Sequence, residues 1–356
     1  MSGNATTTSR TDEWSGWFRS VGQLLLDYRE LTKPRIVHLL VVTTFCTMLV
    51  AQRGVPSWSL IFWTILGTAM TSGSAQAINM VWDRDIDAIM ERTKTRPIVQ
   101  GRISPEAALV FAGVLGLLGV LTLTWFVNPL AAQMAMAGHA FYVLIYTMWL
   151  KRSTPQNIVI GGAAGAFPPL IGWAAVTGDL SLTAWLIFGV IFLWTPPHFW
   201  ALALYKDTDY QAAGVPMMPV ARGAATTKFQ MMVYTALLIG VTVLLGLVGL
   251  MGIVYLAAAI VLGGIFAYCN IRCAFETDGH TWAKRTFACS LIYLALLFGA
   301  MSADAVNTFH FTESRRLTSI EREADRIRDQ RSLEDLRELN GQTLTSKSSS
   351  QTKTSP

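Results

Sequence analysis

Charged residues are scarce in this chain: Asp, Glu, Lys and Arg occupy 14% of its 356 positions, whereas 52% are hydrophobic. A soluble globular protein carries about 25% charged residues. The deficit is concentrated in the middle of the chain, because residues 1–35 and 312–356 are polar. This composition excludes a soluble enzyme, a disordered chain and a coiled coil, and it predicts an all-α polytopic membrane protein.

Cysteine is also scarce. The four cysteines lie in apolar stretches, with neither a Cys-x-x-Cys pair nor the spacing of metal ligands: Cys46, Cys269, Cys273 and Cys289. This pattern predicts neither disulfides nor a zinc site. Residues 1–30 lack the apolar core of a signal peptide, which favours a bacterial plasma (inner) membrane over an organelle. The net charge of +5 is typical of basic cytoplasmic loops in a membrane protein, so no nucleic-acid partner is expected.

Long hydrophobic runs are abundant. A helix needs about 20 mostly apolar residues to cross the hydrocarbon core of a bilayer. The run 229–274 is too long for one span and is divided near Gly249 and Gly252, where glycine favours a turn. Ser104 and Pro105 predict a helix start, as cap and first helical residue. Nine transmembrane helices are therefore predicted, near 36–52, 58–82, 106–127, 130–150, 156–176, 182–204, 229–250, 252–274 and 286–304.

The basic residues alternate between the connections. Lys and Arg are frequent before the first span and in the even-to-odd loops, and nearly absent from the others. By the positive-inside rule, the N-terminus and these loops face the cytoplasm. Lys151 and Arg152 follow this pattern and are interpreted as a topology signal. The expected domains are a polar cytoplasmic segment (1–30), a membrane domain (31–306) and a polar, partly disordered tail (307–356).

One cytoplasmic loop has acidic residues at helical spacing. Asn79, Asp83 and Asp87 recur at intervals of four, so they share one helix face. Such a stripe at a membrane boundary costs repulsion and desolvation, which a hard cation with oxygen ligands would offset, and Mg²⁺ leaves positions for substrate phosphates. The alternative is an ordinary charged loop whose acids and bases pair with each other. The basic residues that would complement a bound polyanion are Arg84, Lys94 and Arg96.

A second acidic loop contains Lys206, Asp207 and Asp209. Four helices separate the two loops, so both are expected on the same membrane face. Two carboxylate clusters with nearby lysines suit a metal–diphosphate, and no glycine-rich loop of the nucleotide-binding type is present in the sequence. A bound Mg²⁺ would stabilise a departing diphosphate, so that an allylic ester ionises. The apolar interior would hold the acceptor and exclude water.

The Asn79-x3-Asp83-x3-Asp87 pattern resembles the first aspartate-rich motif of the UbiA-type intramembrane prenyltransferases. Further stretches resemble one branch of that family, the protohaem IX farnesyltransferases. Thr208 separates the two acids of the second loop, where the family often has adjacent acids. The resemblance covers about residues 27–304, and the stretches that carry it are Leu31–Arg35, Asp83–Pro97, Tyr146–Gly162, Trp194–Ala203 and Asp209–Pro219.

The resemblance implies nine transmembrane helices around a central cavity. It also implies transfer of a farnesyl group from farnesyl diphosphate to a vinyl group of haem b, which gives haem O and diphosphate. The product would pass to a haem O-processing enzyme or an oxidase assembly partner. The cofactor would be Mg²⁺, held by Asp83, Asp87, Asp209 and Asp207, with Asn79, Lys94 and Arg96 completing the catalytic set.

Further residues are candidates for substrate binding. His198 lies inside an apolar span, where an ionisable side chain is costly, so it is a candidate haem contact; a hydrogen-bonded packing histidine is the alternative. Lys33 and Arg35 are candidates for diphosphate or a haem propionate, although the topology signal explains them equally well. Arg84 and Lys206 complete this set. The proline pairs Pro168–Pro169 and Pro196–Pro197 predict kinks that widen a cavity.

Two other functions remain open at the level of sequence. A prenyltransferase of the same kind would act on a quinone precursor or chlorophyllide. A non-catalytic haem transporter or chaperone would use the acidic loops for gating.

Overall fold

The structure is a computed structural model that describes residues 10–307, with side chains described from residue 21. Every regular element in that range is a helix, which confirms the all-α prediction. The predicted polar tail lies outside the described residues. The helices are α1 (Arg10–Leu31), α2 (Pro34–Gln52), α3 (Trp58–Trp82), α4 (Arg84–Ile89), α5 (Pro105–Phe126), α6 (Pro129–Ala140), α7 (Lys151–Ser153), α8 (Asn157–Thr177), α9 (Leu182–Leu204), α10 (Asp207–Ala212), α11 (Met218–Leu247), α12 (Ile253–Ala274) and α13 (Thr281–Asn307).

Polar caps begin several of these helices. Ser104 accepts a hydrogen bond from the backbone N–H of Ala107 at 3.2 Å, and Pro105 occupies the first helical position of α5. Asn128 caps α6 through the N–H of Ala131 at 2.8 Å. Each cap satisfies an N–H that has no partner inside its helix. The helix start predicted at Ser104 is therefore confirmed.

The number of membrane spans differs from the prediction. Seven helices between residues 10 and 307 are long and apolar enough to cross a membrane: α2, α5, α8, α9, α11, α12 and α13. The chain is thus a multi-pass membrane protein, but this criterion does not confirm nine spans. The other two predicted segments are helical as well. Helix α3 carries many buried Thr, Ser, Gln and Asn side chains, and 130–150 is divided between α6 and a π-helical segment, Phe141–Leu150.

The long apolar run 229–274 is divided near Gly249, as predicted. Helix α11 ends at Leu247 and α12 begins at Ile253, with Gly249 at φ +73° between them. Helix α11 begins at Met218, earlier than predicted, and its backbone changes direction at Gly223, where φ is 79° and ψ is 164°. Only glycine adopts these positive φ values at little cost.

The spans pack closely around a central space. Helix α8 contacts α2, α6 and α9, while α3 packs mainly on α5. A Cβ built on Gly172 would lie 2.4 Å from the carbonyl oxygen of Thr44, so only glycine allows this approach of α8 to α2. Small residues allow such contacts between membrane helices. Helices α8 and α9 continue through Pro168–Pro169 and Pro196–Pro197, so neither proline pair ends its helix.

Candidate active site

The acidic stripe is buried and helical. Asn79 lies in the last turn of α3, Asp83 joins α3 to α4, and Asp87 lies in α4. Their exposed fractions are 3%, 0% and 2%. The N–H of Asp83 donates to the carbonyl of Asn79 at 2.9 Å, and that of Asp87 to the carbonyl of Asp83 at 2.8 Å. The i to i+4 geometry therefore continues across the junction, and Asn79 Nδ2 also donates to Asp83 Oδ2 at 2.8 Å.

Three cations from separate segments bind this stripe. A buried carboxylate is costly unless it is paired and hydrogen-bonded, and each member of the stripe has such a partner. Together they bring the start of α2, the loop after α4 and the start of α7 to one place. The hydrogen bonds run from Lys33 to Asn79 Oδ1, from Lys151 to Asp83 Oδ2 and from Arg96 to Asp87 Oδ2.

Lys33 has an unusual backbone conformation. It precedes α2 with φ 49° and ψ 66°, in the left-handed region, and Pro34 follows as the first helical residue. A non-glycine residue in this region costs on the order of 1–3 kcal/mol, and such strain persists only where surrounding contacts enforce it. Lys33, in the sharp connection between α1 and α2, is held in this conformation while its side chain binds the acidic stripe.

Arg152 holds the start of α4. Its two terminal nitrogens each lie 2.7 Å from a carboxylate oxygen of Asp85, and Nη2 also donates to the carbonyl of Trp82 at 2.9 Å. The guanidinium lowers the pKa of the Asp85 carboxyl to about 2. This two-pronged geometry fixes orientation as well as distance, so Arg152 positions the backbone on both sides of Asp83.

A cavity of about 650 Å³ adjoins the stripe. Small-molecule sites typically measure about 300–1,000 Å³, so this space can hold a substrate. Its polar lining contains the stripe members Asn79 and Asp87 with the cations Lys33, Arg35, Arg96 and Lys151. Its remaining lining is largely aromatic and aliphatic, and includes Tyr142, Tyr146, Phe167, Trp194 and Phe287.

His198 belongs to the apolar part of the cavity lining. Its ring stacks between Trp194 and Phe287, with centroid distances of 4.3 Å and 4.6 Å. Its Nδ1 lies 2.6 Å from the hydroxyl oxygen of Ser290 on α13. The structure therefore places His198, Lys33 and two members of the stripe, Asn79 and Asp87, around one cavity, although they come from distant parts of the sequence.

The second acidic loop lies at the same end of the bundle as the first. Tyr210 of α10 belongs to the same buried cluster as Ile86 and Met90, and the guanidinium of Arg92 lies 6.0 Å from the Tyr210 ring. Asp209 forms an ion pair with Lys206 at 3.9 Å.

Several predicted residues lie away from the main cavity lining. Asp207 lines a separate cavity of about 170 Å³, beside Lys228. Lys94 is exposed and pairs with Glu91 at 2.7 Å. Arg84 is exposed and donates to the carbonyl of Val81 at 3.1 Å. Asp83, Lys206 and Asp209 are also absent from the main cavity lining. Of the three basic residues predicted beside the first acidic loop, only Arg96 lines the cavity.

Lys151 and the aromatic wall of the cavity were not predicted as site residues. The aromatic wall consists of Tyr142, Tyr146, Phe167, Trp194 and Phe287. Lys151 was interpreted as a topology signal, but its ammonium binds the fully buried Asp83. Tyr142 donates to Gln76 Oε1 at 2.9 Å inside the cavity lining. The signal for Lys151 was its place in a motif that resembles the family. The pairing itself depends on how α3 and α7 meet, which spacing does not encode.

The stripe and the second loop have oxygen atoms suited to a metal ion. Within residues 10–307, no three His, Cys, Asp or Glu side chains are grouped closely enough to hold one. However, Asp83 Oδ1 and Asp209 Oδ2 are buried and accept no hydrogen bond from the described residues. Among the described residues, the cation recorded beside Asp83 Oδ1 is Arg152, whose Nη2 lies 3.7 Å away. Buried carboxylate oxygens without donors are costly, and they are the ligands that Mg²⁺ prefers. Each of these two oxygens is therefore chemically suited to be a Mg²⁺ ligand.

These features place buried acidic residues and their cations next to an apolar chamber. The UbiA prenyltransferase family matches residues 40–302 of the chain. The chain therefore belongs to this family, and the predicted enzyme class, a prenyltransferase, is confirmed.

Similar proteins indicate which branch of the family this chain resembles. A protoheme IX farnesyltransferase of Symbiobacterium thermophilum is 52% identical over 284 residues, which are 80% of this chain and 95% of the relative. The protein of the same name from Gloeobacter violaceus is 49% identical over 294 residues, 82% of this chain and 96% of the relative. The chain spans about half the length of the Chloroflexus aurantiacus relative, which is 47% identical over 300 residues and 84% of this chain. The resemblance to the protohaem IX farnesyltransferase branch is confirmed. Haem is therefore favoured as the acceptor over a quinone precursor or chlorophyllide.

Solved structures share the fold. A structure reported for digeranylgeranylglyceryl phosphate synthase has a TM-score of 0.68 at 18% identity, covering 80% of this chain and 99% of its own. A UbiA homologue from Archaeoglobus fulgidus bound to GPP and Mg²⁺ has a TM-score of 0.57 at 16% identity, covering 78% and 99%. At such identities the likeness concerns the fold alone.

Proposed function

We propose that this protein transfers the farnesyl group of farnesyl diphosphate to a vinyl group of haem b, giving haem O and diphosphate. The observation that carries the proposal is the single cavity that joins the acidic stripe and its cations to an aromatic chamber with His198. The relatives at about 50% identity that are named protoheme IX farnesyltransferase support the choice of substrates.

The polar end of the cavity would bind the diphosphate. Lys33, Arg35 and Arg96 line the space where a polyanion would lie. Cations near a phosphate form strong, charge-assisted hydrogen bonds. When the diphosphate enters, Lys33 and Arg96 would exchange their bonds to the stripe for bonds to phosphate oxygens.

Asp87, released by this exchange, would bind Mg²⁺ together with further carboxylates. Asp83, Asp87 and Asp209 are the proposed ligands, and Asn79 would orient Asp83 through the hydrogen bond that joins them. When bound, the ion would neutralise charge that develops on the departing diphosphate. The Archaeoglobus fulgidus structure with GPP and Mg²⁺ supports this cofactor.

The apolar part of the cavity would carry out the carbon chemistry. The allylic C–O bond breaks and its electron pair leaves with the diphosphate. The vinyl π electrons of the porphyrin then form the new C–C bond, and a water molecule quenches the resulting cation and releases one proton. The aromatic wall, with Tyr142 and Trp194, would keep other water away from the allylic cation.

The predicted localisation, topology, membrane domain and partners are also part of the proposal. The protein would lie in a bacterial plasma membrane, with its N-terminus and both acidic loops in the cytoplasm. The packing of the two loops at one end of the bundle supports a common face. The proposed membrane domain is 31–306, and the compact unit that contains the membrane helices also ends at Val306, although that unit includes residues 1–30. The product would pass to a haem O-processing enzyme or an oxidase assembly partner.

A turnover assay tests this function. Purified protein in lipid nanodiscs receives farnesyl diphosphate and Mg²⁺ with one of three acceptors: haem b, a quinone precursor or chlorophyllide. Mass spectrometry of each acceptor should detect a farnesyl adduct on haem b alone. An adduct on another acceptor alone would reassign the substrate, and turnover of none would favour a haem transporter or chaperone.

A further inference from the structure

Ser290 joins α13 to the aromatic stack around His198. Trp194 Nε1 donates to the backbone carbonyl of Ser290 at 2.9 Å, while His198 Nδ1 lies 2.6 Å from its hydroxyl oxygen. Ser290 has no exposed surface, and His198 is 6% exposed. Two side chains of α9, one helical turn apart, are therefore held by one residue of the neighbouring helix.

The hydrogen-bond partners of Ser290 favour one tautomer of His198. The Ser290 hydroxyl donates to the carbonyl oxygen of Phe287 at 2.6 Å. A carbonyl oxygen can only accept and a serine has one hydroxyl proton, so Ser290 has no proton left for His198. With the hydroxyl proton on that carbonyl, the hydrogen bond between Nδ1 and the hydroxyl oxygen takes its proton from Nδ1, which leaves Nε2 of the neutral ring with a free lone pair.

The surroundings of His198 favour a metal ligand over a base. No hydrogen bond from the described residues reaches Nε2, and the side chain lines the main cavity. A histidine that binds a metal usually donates its other ring N–H to a fixed acceptor, as His198 does to Ser290. A protonated ring would lack a carboxylate partner here, because its hydrogen-bond partner is a neutral hydroxyl. Stacking between Trp194 and Phe287 keeps the ring plane fixed.

We propose that His198 Nε2 binds the iron of the porphyrin substrate as an axial ligand, and that Ser290 is the positioning residue that fixes the required tautomer. This inference rests on the proposed function, since it takes haem b as the substrate. The enzyme would thus recognise the metal of its acceptor as well as the ring.

Porphyrin titrations of the full chain in nanodiscs test this proposal. Iron protoporphyrin IX and metal-free protoporphyrin IX are titrated into the wild type, His198→Ala, Ser290→Ala and Ser302→Ala. Ser302 is the matched control, since it is a buried serine on the same helix that donates to the carbonyl of Phe298 at 2.8 Å. The readouts are the absorbance and resonance Raman bands of axial imidazole and the affinity ratio of the two porphyrins.

The wild type and Ser302→Ala should show imidazole ligation and a preference for iron. His198→Ala should lose both, and added imidazole should restore the ligation bands. Ser290→Ala should weaken the iron preference by about 10-fold, as for other residues that orient metal ligands. Unchanged imidazole bands in His198→Ala would overturn the proposal. It would also be overturned if His198→Ala bound the iron porphyrin normally but lost turnover, because His198 would then act as a base. If the wild type farnesylates haem b without imidazole bands, only this inference fails; if it never farnesylates haem b, the proposed function fails.

Discussion

The ammonium of Lys151 donates a hydrogen bond to Asp83, although 68 positions separate the two residues. Asp83 is completely buried, and the Lys151 side chain is 17% exposed. The bond joins the end of α3 to α7, so it fixes the middle of the acidic stripe relative to the cavity wall.

Removal of Lys151 should destabilise the protein. Breaking one side of a buried ion pair typically costs about 3–5 kcal/mol, because a buried charge loses its partner. Lys151→Met should therefore lower the thermal unfolding temperature markedly, whereas Asp83→Asn/Lys151→Met should recover most of the loss without recovering activity. Calorimetry in nanodiscs measures both. Losses that simply add in the double variant would show that the pair is not coupled.

Asp83→Asn should strongly reduce kcat of the protein that remains folded. The substitution keeps the volume but removes a carboxylate oxygen that would bind Mg²⁺, so kcat should fall by about 100-fold or more, as when one transition-state contact is lost. Steady-state kinetics with farnesyl diphosphate and haem b measure this. Glu91→Gln is the matched control, since Glu91 is 73% exposed and pairs only with Lys94 among the described residues. Equal loss in the control would point to a general effect of loop charge.

The Asp85–Arg152 pair should stabilise the protein across the physiological pH range. The folded pKa of Asp85 is about 2, below an unfolded value of about 3.9. The contribution of the pair is therefore complete above roughly pH 5 and is lost as the pH falls towards 2. Thermal unfolding of the wild type and Asp85→Asn should differ by a constant amount from pH 5 to 8, and the difference should shrink below pH 4. A difference that grows on acidification would contradict this assignment.

Gly172→Ala should force α8 away from α2. The added Cβ would meet a backbone atom, the carbonyl oxygen of Thr44, at 2.4 Å, and such overpacking costs about 1–3 kcal/mol. Gly113→Ala is the control, because a Cβ on Gly113 would have no neighbour within 4 Å. The unfolding temperature should fall for Gly172→Ala only. Equal stability of the two variants would show that the helices separate freely.

The sequence allowed the helical class, the start of α5 and the break at Gly249 to be predicted, because each depends on local composition or on one cap. It also predicted the stripe, since spacing by four residues places Asn79, Asp83 and Asp87 on one helix face. The count of spans was less predictable. Helix α3 has buried polar side chains in place of apolar ones, and two of them, Ser74 and Asn79, bond to residues outside α3 in the folded bundle.

The parts of the site that could not be predicted depend on contacts between distant helices. The Ser290 hydroxyl meets His198 across 92 positions, and neither local spacing nor charge indicates that contact. Asp207 and Asp209 lie two residues apart, yet Asp207 lines the smaller cavity while Asp209 pairs with Lys206. Their separation results from the direction of the short helix α10, which the sequence leaves undetermined.

The destination of a labelled farnesyl group tests the central claim most directly. Deuterium-labelled farnesyl diphosphate is incubated with haem b, Mg²⁺ and either the wild type or Asp83→Asn, and every product is analysed by mass spectrometry. The account predicts label in the porphyrin for the wild type, none without a divalent cation, and labelling slower by about 100-fold or more for Asp83→Asn. Label in farnesol alone, or equal labelling of the porphyrin by both proteins, would contradict it.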